Sequence, residues 1–275
     1  MSTTTTLTPA VPTSSHRPDR SDLRLALRQV GFEQRAFWRN RSGAFFSVGL
    51  PLMFLVVFNA LNGSHTIEEM GGIGYSTWFV PGILAYGIMM ATFTNLATSI
   101  TVARDSGVLK RLHGTPLPNW VYLAGRIGST AITVAVLVVA TLGLGVAAYG
   151  VEIRVPTLPG LALTLLAGTV CFTVLGLAVT ALIPRAESAS AIANLLLLPV
   201  TFASGIWMVI ADPPRWLDLV AGALPVRAFA HGLQYAFHPA SPAPGIVGRD
   251  LAVLVIWAVI GVVAFRRWFR WEARH

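Results

Sequence analysis

The stretch Trp120–Tyr149, WVYLAGRIGSTAITVAVLVVATLGLGVAAY, carries a single charged side chain, Arg126. A bilayer core needs about 20 predominantly apolar residues per helix, so this run exceeds a perpendicular span. It reads as a tilted helix, or one starting inside the interface, with Arg126 near its start and able to snorkel. Backbone polar groups in lipid must pair within the chain, and no apolar–polar alternation at period two marks a barrel strand. A helix remains.

Working outward, comparable runs lie at 43–62, 77–102, 158–183, 188–210 and 246–265. The whole chain has 275 residues, 54% hydrophobic and only 12% charged, with a mean hydropathy of +0.65. A soluble domain carries roughly 25% charged residues. The predicted fold is therefore an all-α integral membrane protein with about six transmembrane helices over 43–265. Cys171, the one cysteine, lies inside an apolar run, so it has no disulfide or metal partner of its own kind and reads as a small lipid- or helix-facing residue.

The net charge of +8 and pI near 10.7 do not point to nucleic acid, because the basic residues flank apolar runs instead of lining a soluble face. They report topology. Sixteen of the twenty Lys and Arg residues fall on one side of the expected spans; Arg154, Arg215, Arg227 and Arg249 fall on the other. The positive-inside rule then places both termini in the cytoplasm. The Thr/Ser/Pro-rich stretch 1–20 reads as a disordered cytosolic tail without the apolar core of a signal peptide, and 266–275 as a basic cytosolic tail.

Residues 21–42, SDLRLALRQVGFEQRAFWRNRS, predict an interfacial amphipathic helix. Leu23, Leu27, Val30, Phe37 and Trp38 share one arc, and Arg24, Arg28, Arg35 and Arg39 form a stripe suited to lipid phosphates. Residues 212–245 are interrupted by Pro213, Pro214, Gly222, Pro225 and the stretch 239–245. Two pieces too short to span, 215–223 and 226–237, predict an extracytoplasmic re-entrant helical hairpin before the last span; a surface loop is the alternative.

Absences narrow the function. The only lysine, Lys110, is not in a P-loop sequence, so this chain has no such nucleotide site. The spans hold no acidic residue or histidine at mid-membrane, unlike ion-coupled carriers. Ser204-Gly205 is a weak nucleophile signal and reads as a close-packing or kink position beside Pro199. His231 with His238, and His65 with Glu68 and Glu69, read as polar loop residues, not metal ligands. No catalytic, cofactor or metal residue is expected.

Between the second and third runs lies ARDSGVLKRLHGTPLP, residues 103–118. Asp105 to His113 predicts a short helix, started at Asp105 or Ser106, ended by Gly114 and Pro116, with Val108, Leu109 and Leu112 on one face and Asp105, Lys110 and Arg111 on its rim. That pattern suits docking into a partner's groove, and equally a topology-setting loop whose leucines fold back on the membrane.

The order of parts resembles the membrane subunit of type-2 ATP-binding-cassette (ABC-2) exporters, the drug-resistance permeases in particular. The likeness is carried by the interfacial helix, by RDSGVLKRLHGTPLPNWVYLAGR (104–126), and by FASGIWMVIADPPRWLDLVAGALPVRAFAHGLQYAF (202–237). The resemblance implies that 103–118 is a coupling loop, with Arg104, Asp105, Val108, Leu109, Lys110, Arg111 and Leu112 contacting an ATPase subunit. It implies a second contact through Arg185 and Glu187, and a working unit of two P-loop ATPases with two permease chains in a bacterial inner membrane. ATP and Mg would then belong to the partner. Where the family often has glutamate this chain has Asp105, which keeps the charge and shortens its reach. The implied activity is export of a hydrophobic or amphipathic compound. Glycan or glycolipid export shares the architecture, and Trp78, Phe79, Tyr86 and Phe93 offer stacking surfaces for it. An ion-coupled carrier and an intramembrane hydrolase are the rivals from other classes.

Overall fold

A computed structural model describes residues 20–108, 111, 119–209 and 214–268. Of the tails expected at 1–20 and 266–275, residues 1–19 and 269–275 lie outside the described residues, as do Leu109, Lys110 and Leu112, while Arg20 opens the first helix and Arg266, Arg267 and Trp268 close the last. Helix α1 spans Arg20–Arg39 and α2 spans Arg41–Asn62. A small antiparallel hairpin follows, β1 Thr66–Ile67 with β2 Ile73–Gly74, pairing Thr66 with Gly74. Then come α3 Tyr75–Asp105, α4 Asn119–Tyr149, α5 Leu158–Val179, α6 Ala186–Phe202, α7 Arg215–Ala223, α8 Pro225–Phe237 and α9 Gly248–Trp268.

Five of these helices, α2, α3, α4, α5 and α9, are long and apolar enough to cross a membrane. The sixth expected span, 188–210, is helical only as α6, whose 17 residues rise about 25 Å against a core of about 30 Å. Pro199, which lacks an N–H, sits in its last turn, and Gly205 takes φ +78°, so the helix cannot continue. The freed groups are satisfied locally: Ser204 Oγ donates to Thr201 O at 2.6 Å, Trp207 Nε1 to Thr201 Oγ1 at 3.2 Å, and Gln234 Nε2 to Gly205 O at 3.3 Å. Ser204 is thus tied into a helix end.

Close contacts fix the direction of each helix. Gly87 meets Pro51 and Leu137, Gly63 meets Ser76 and Gly145 meets Val80, so α2 and α4 run antiparallel to α3. Gly160 meets Gly245 while Gly261 meets Val174, so α5 and α9 run side by side in one direction. Consequently α1, Asp105, the α5–α6 turn and the end of α9 share one end of the bundle; the β-hairpin, α7 and α8 share the other.

Helix α3 is the hub: 94% of its most apolar window is buried, against 11% for α9. It widens into a π-turn over Met90–Thr94, where Thr92 Oγ1 donates back to Ile88 O at 2.6 Å. Gly176 of α5 packs on that turn, because a Cβ there would stand 2.8 Å from Thr92 O and 2.9 Å from Phe93 O. Trp78, Phe79, Tyr86 and Phe93 are all buried in this core. Phe79 stacks on Phe58 and Tyr86 meets Trp207 edge-on, while Trp78 borders a pocket at the start of α3. Cys171 is fully buried and faces helices.

The expected re-entrant segment consists of two helices. In α7, Trp216, Leu219 and Val220 are exposed. In α8, most residues are buried against α3, α5 and α9, with Phe229 over Gly168. His231, expected in a loop, lies within α8 and its Nδ1 pairs with Asp250 Oδ2 at 2.6 Å.

Helix α1 lies along the first half of α4. Ala26 and Glu33 are buried, whereas Leu27 and Trp38 are exposed; Arg24, Arg28, Arg35 and Arg39 are exposed, as an interfacial stripe requires. Glu33 Oε2 meets Arg126 Nη1 at 3.0 Å, and Gln29 Nε2 donates to Glu33 Oε1 at 3.0 Å. Gly125 and Gly128 allow the approach, since a Cβ would meet Gln29 or Val30 within 2.6 Å. The Gln34 amide nitrogen donates to Ser129 Oγ at 2.7 Å while its oxygen accepts from Trp38 Nε1 at 3.0 Å. The helix stops at Arg39 because Asn40 leaves helical geometry and accepts from Gly43 N at 3.1 Å, capping α2.

Arg126→Ala would strand a buried carboxylate, a change that typically costs about 3–5 kcal/mol. Thermal unfolding in detergent should show the loss, and Glu33→Gln in the same chain should restore most of it. A single variant as stable as the parent would contradict the pair's role.

Candidate functional site

The coupling loop expected at 103–118 begins differently from its sequence reading. Asp105 does not start a new helix; it ends α3. Ser106 Oγ donates back to Val102 O at 2.8 Å, and Gly107, at φ +71°, turns the chain, as glycine does at helix ends. Arg111 N then donates to Gly107 O at 3.0 Å, the first bond of the next turn. Val108 and Arg111 are exposed.

Arg104 and Asp105 turn inward. The Arg104 guanidinium is buried, with Nη1 donating to Thr180 O at 3.0 Å and Nη2 to Ile183 O at 2.6 Å and Pro184 O at 3.5 Å. These carbonyls follow α5, where a helix C-terminus presents negative partial charge. Asp105 Oδ2 accepts from Ala186 N, the first residue of α6, where a helix N-terminus presents positive partial charge. Asp105 Oδ1 also lies 3.6 Å from Arg104 Nε. Two consecutive side chains of α3 therefore hold both ends of the α5–α6 turn, each with the charge its helix end favours.

The structure thus brings the two expected cytosolic contacts together. Arg185 precedes Ala186 and Glu187 follows it; both are exposed beside Asp105. Arg104 is the exception among the candidate contact residues, because its side chain is spent inside the chain. Sequence reasoning missed the clamp, since nothing in the local pattern 103–118 reveals contacts with residues 180–186. It also missed Glu33 and Arg126, which line a cleft of about 600 Å³ with Gln29, Asn95 and Tyr122 between α1, α3 and α4. Among the described residues no cluster of three or more His, Cys, Asp or Glu is present.

A family model described as "ABC-2 type transporter" matches residues 30–238, which holds α2 to α8 and the whole clamp. This chain belongs to the ABC-2 type transporter family. It is 26% identical over 211 residues to "Inner membrane transport permease YadH" of Escherichia coli (strain K12), covering 75% of this chain and 79% of the relative. It is 22% identical over 229 residues to "Putative transport permease YvfS" of Bacillus subtilis (strain 168), covering 83% of this chain and 90% of the relative. An ABC-2 transport permease with several apolar helices is a multi-pass inner membrane protein, and the expected family is the one found.

In this ABC-2 permease, Asp105→Ala removes the acceptor for the first amide of α6. Amide exchange at Ala186 should speed up about fivefold while Ala189, a turn later, changes little, since loss of such a cap costs about 1 kcal/mol. Unchanged exchange at Ala186 would remove Asp105 from the clamp.

Proposed function

We propose that this chain is the membrane subunit of an ATP-driven exporter, forming with a second permease chain a path for a hydrophobic or amphipathic compound. The observation that carries the reading is the Arg104–Asp105 clamp. A partner that moved the segment after Gly107 would pull on α3, and through the clamp on the α5–α6 turn, so one contact reaches three helices. Membership of the ABC-2 family supports a separate ATPase as that partner, with ATP and Mg bound there and no catalytic chemistry in this chain. Val108 and Arg111, with Leu109, Lys110 and Leu112, form the docking segment; Asp105, Arg185 and Glu187 border it. The arginine-rich end is cytoplasmic, where Arg24, Arg28, Arg35 and Arg39 meet anionic lipid headgroups.

The charge-poor interior favours an apolar or amphipathic cargo. Glycan export drew on Trp78, Phe79, Tyr86 and Phe93 as stacking surfaces, and the burial of Phe79, Tyr86 and Phe93 in the core leaves only Trp78 beside a pocket.

A tagged chain purified gently from its native membrane should bring down a stoichiometric P-loop ATPase, and Leu109→Asp with Leu112→Asp should lose it. Asp105→Ala should keep the ATPase yet lose at least half of transport, because docking and transmission are separate steps. A folded preparation without any ATPase would overturn the exporter reading. An ATPase retained by the double aspartate variant would move the docking site elsewhere.

A further inference from the structure

At the end of the bundle away from Asp105, the start of α3, the β1–β2 turn, α8 and the segment after it border a half-open cavity of about 440 Å³. That is within the roughly 300–1,000 Å³ typical of small-molecule sites. Trp78 and Tyr235 give it aromatic walls, Met70 adds a thioether, and exposed Ala240 stands at its rim. Among the described residues no lysine, arginine, aspartate or glutamate lines it.

Two polar groups on its walls are poorly used by the protein itself. Ser241 is 4% exposed, and its Oγ has no hydrogen-bond partner. Its backbone is nonetheless satisfied, with N donating to His238 O at 3.1 Å and O accepting from Arg154 Nη1 at 3.0 Å. His238 Nδ1 accepts from Ala240 N at 3.2 Å, which places the ring proton on Nε2. That N–H has only Met70 O, at a long 3.4 Å. A buried hydroxyl without a partner is destabilising, and a polar group left so beside an aromatic-walled cavity marks where a ligand atom fits.

We propose that this cavity binds a neutral ring compound bearing a hydroxyl or carbonyl group. The ring packs against Trp78 and Tyr235, and the polar group meets Ser241 Oγ and His238 Nε2. With no lysine, arginine, aspartate or glutamate among the described lining residues, and with His231 already paired to Asp250, ions are disfavoured, and the unpaired hydroxyl disfavours a purely apolar occupant. Such a site lies at the opposite end from the clamp and needs no ATPase, so its test is independent of the exporter reading.

The purified chain in detergent micelles is titrated with 1-naphthol and, separately, with naphthalene, using protein-free micelles to subtract partitioning. One saturable 1-naphthol site per chain is expected. Ser241→Ala should weaken 1-naphthol about three- to tenfold, the worth of one hydrogen bond, and leave naphthalene unchanged. Ala240→Phe, at the exposed rim, should block both probes. Without probe, Ser241→Ala should unfold at the parent's temperature or above it, since only an unpaired hydroxyl is lost. Binding that does not saturate, that ignores either variant, or a lowered unfolding temperature for Ser241→Ala would overturn the assignment.

Discussion

A helix that ends inside a membrane protein leaves carbonyls at one terminus and amides at the other, with little water to take them. At the α5–α6 turn both kinds of terminus meet within a few residues. Arg104 takes the carbonyls of Thr180 and Ile183, and Asp105 takes the amide of Ala186. Opposite charges on adjacent residues serve opposite helix dipoles. The order matters, because exchanging the two residues would aim a cation at the α6 N-terminus and an anion at the α5 carbonyls. The rest of that end of the bundle hangs on this arrangement, since α3, α5 and α6 converge there.

The same requirement explains features that look like irregularities elsewhere. Helix α6 stops short at Pro199 and Gly205, and Gln234 from α8 supplies the donor that Gly205 O needs. Arg154 does likewise at the start of α5, holding His238 O and Ser241 O. Thr92 and Thr101 donate back to carbonyls one turn earlier within α3. Glycines appear where backbones must touch: Gly160 against Gly245 O, and Gly176 against the π-turn. In a setting where hydrophobic contact hardly distinguishes helix from lipid, such close approach and polar pairing select the neighbours.

In the proposed exporter, helix α3 is the element that would link these contacts to transport. It is the most buried span, touched by α2, α4, α5, α6 and α8, and it ends in the segment whose composition suits docking. The exposed residues Val108, Arg111, Arg185 and Glu187 remain at the surface.

The sequence by itself determined the class of the protein. Apolar runs of twenty residues, scarce charge and arginines gathered on one side fixed membrane-spanning helices, and the motif order of 104–126 and 202–237 fixed the family, because these signals are local in the chain. Proline and glycine at 199 and 205 were visible too, although the loss of about two turns from the end of the sixth span was not. What only the tertiary structure decided were the partners. The apolar arc and arginine stripe of α1 were visible, but its contact with α4 through Glu33 was not, because Arg126 stands opposite it only in the folded bundle. Asp105 looked like the start of a docking helix, yet it ends α3, because Ala186 lies within its reach. Composition and periodicity state what a residue can bury or pair; which residue meets it across 80 positions is set by how the helices stack.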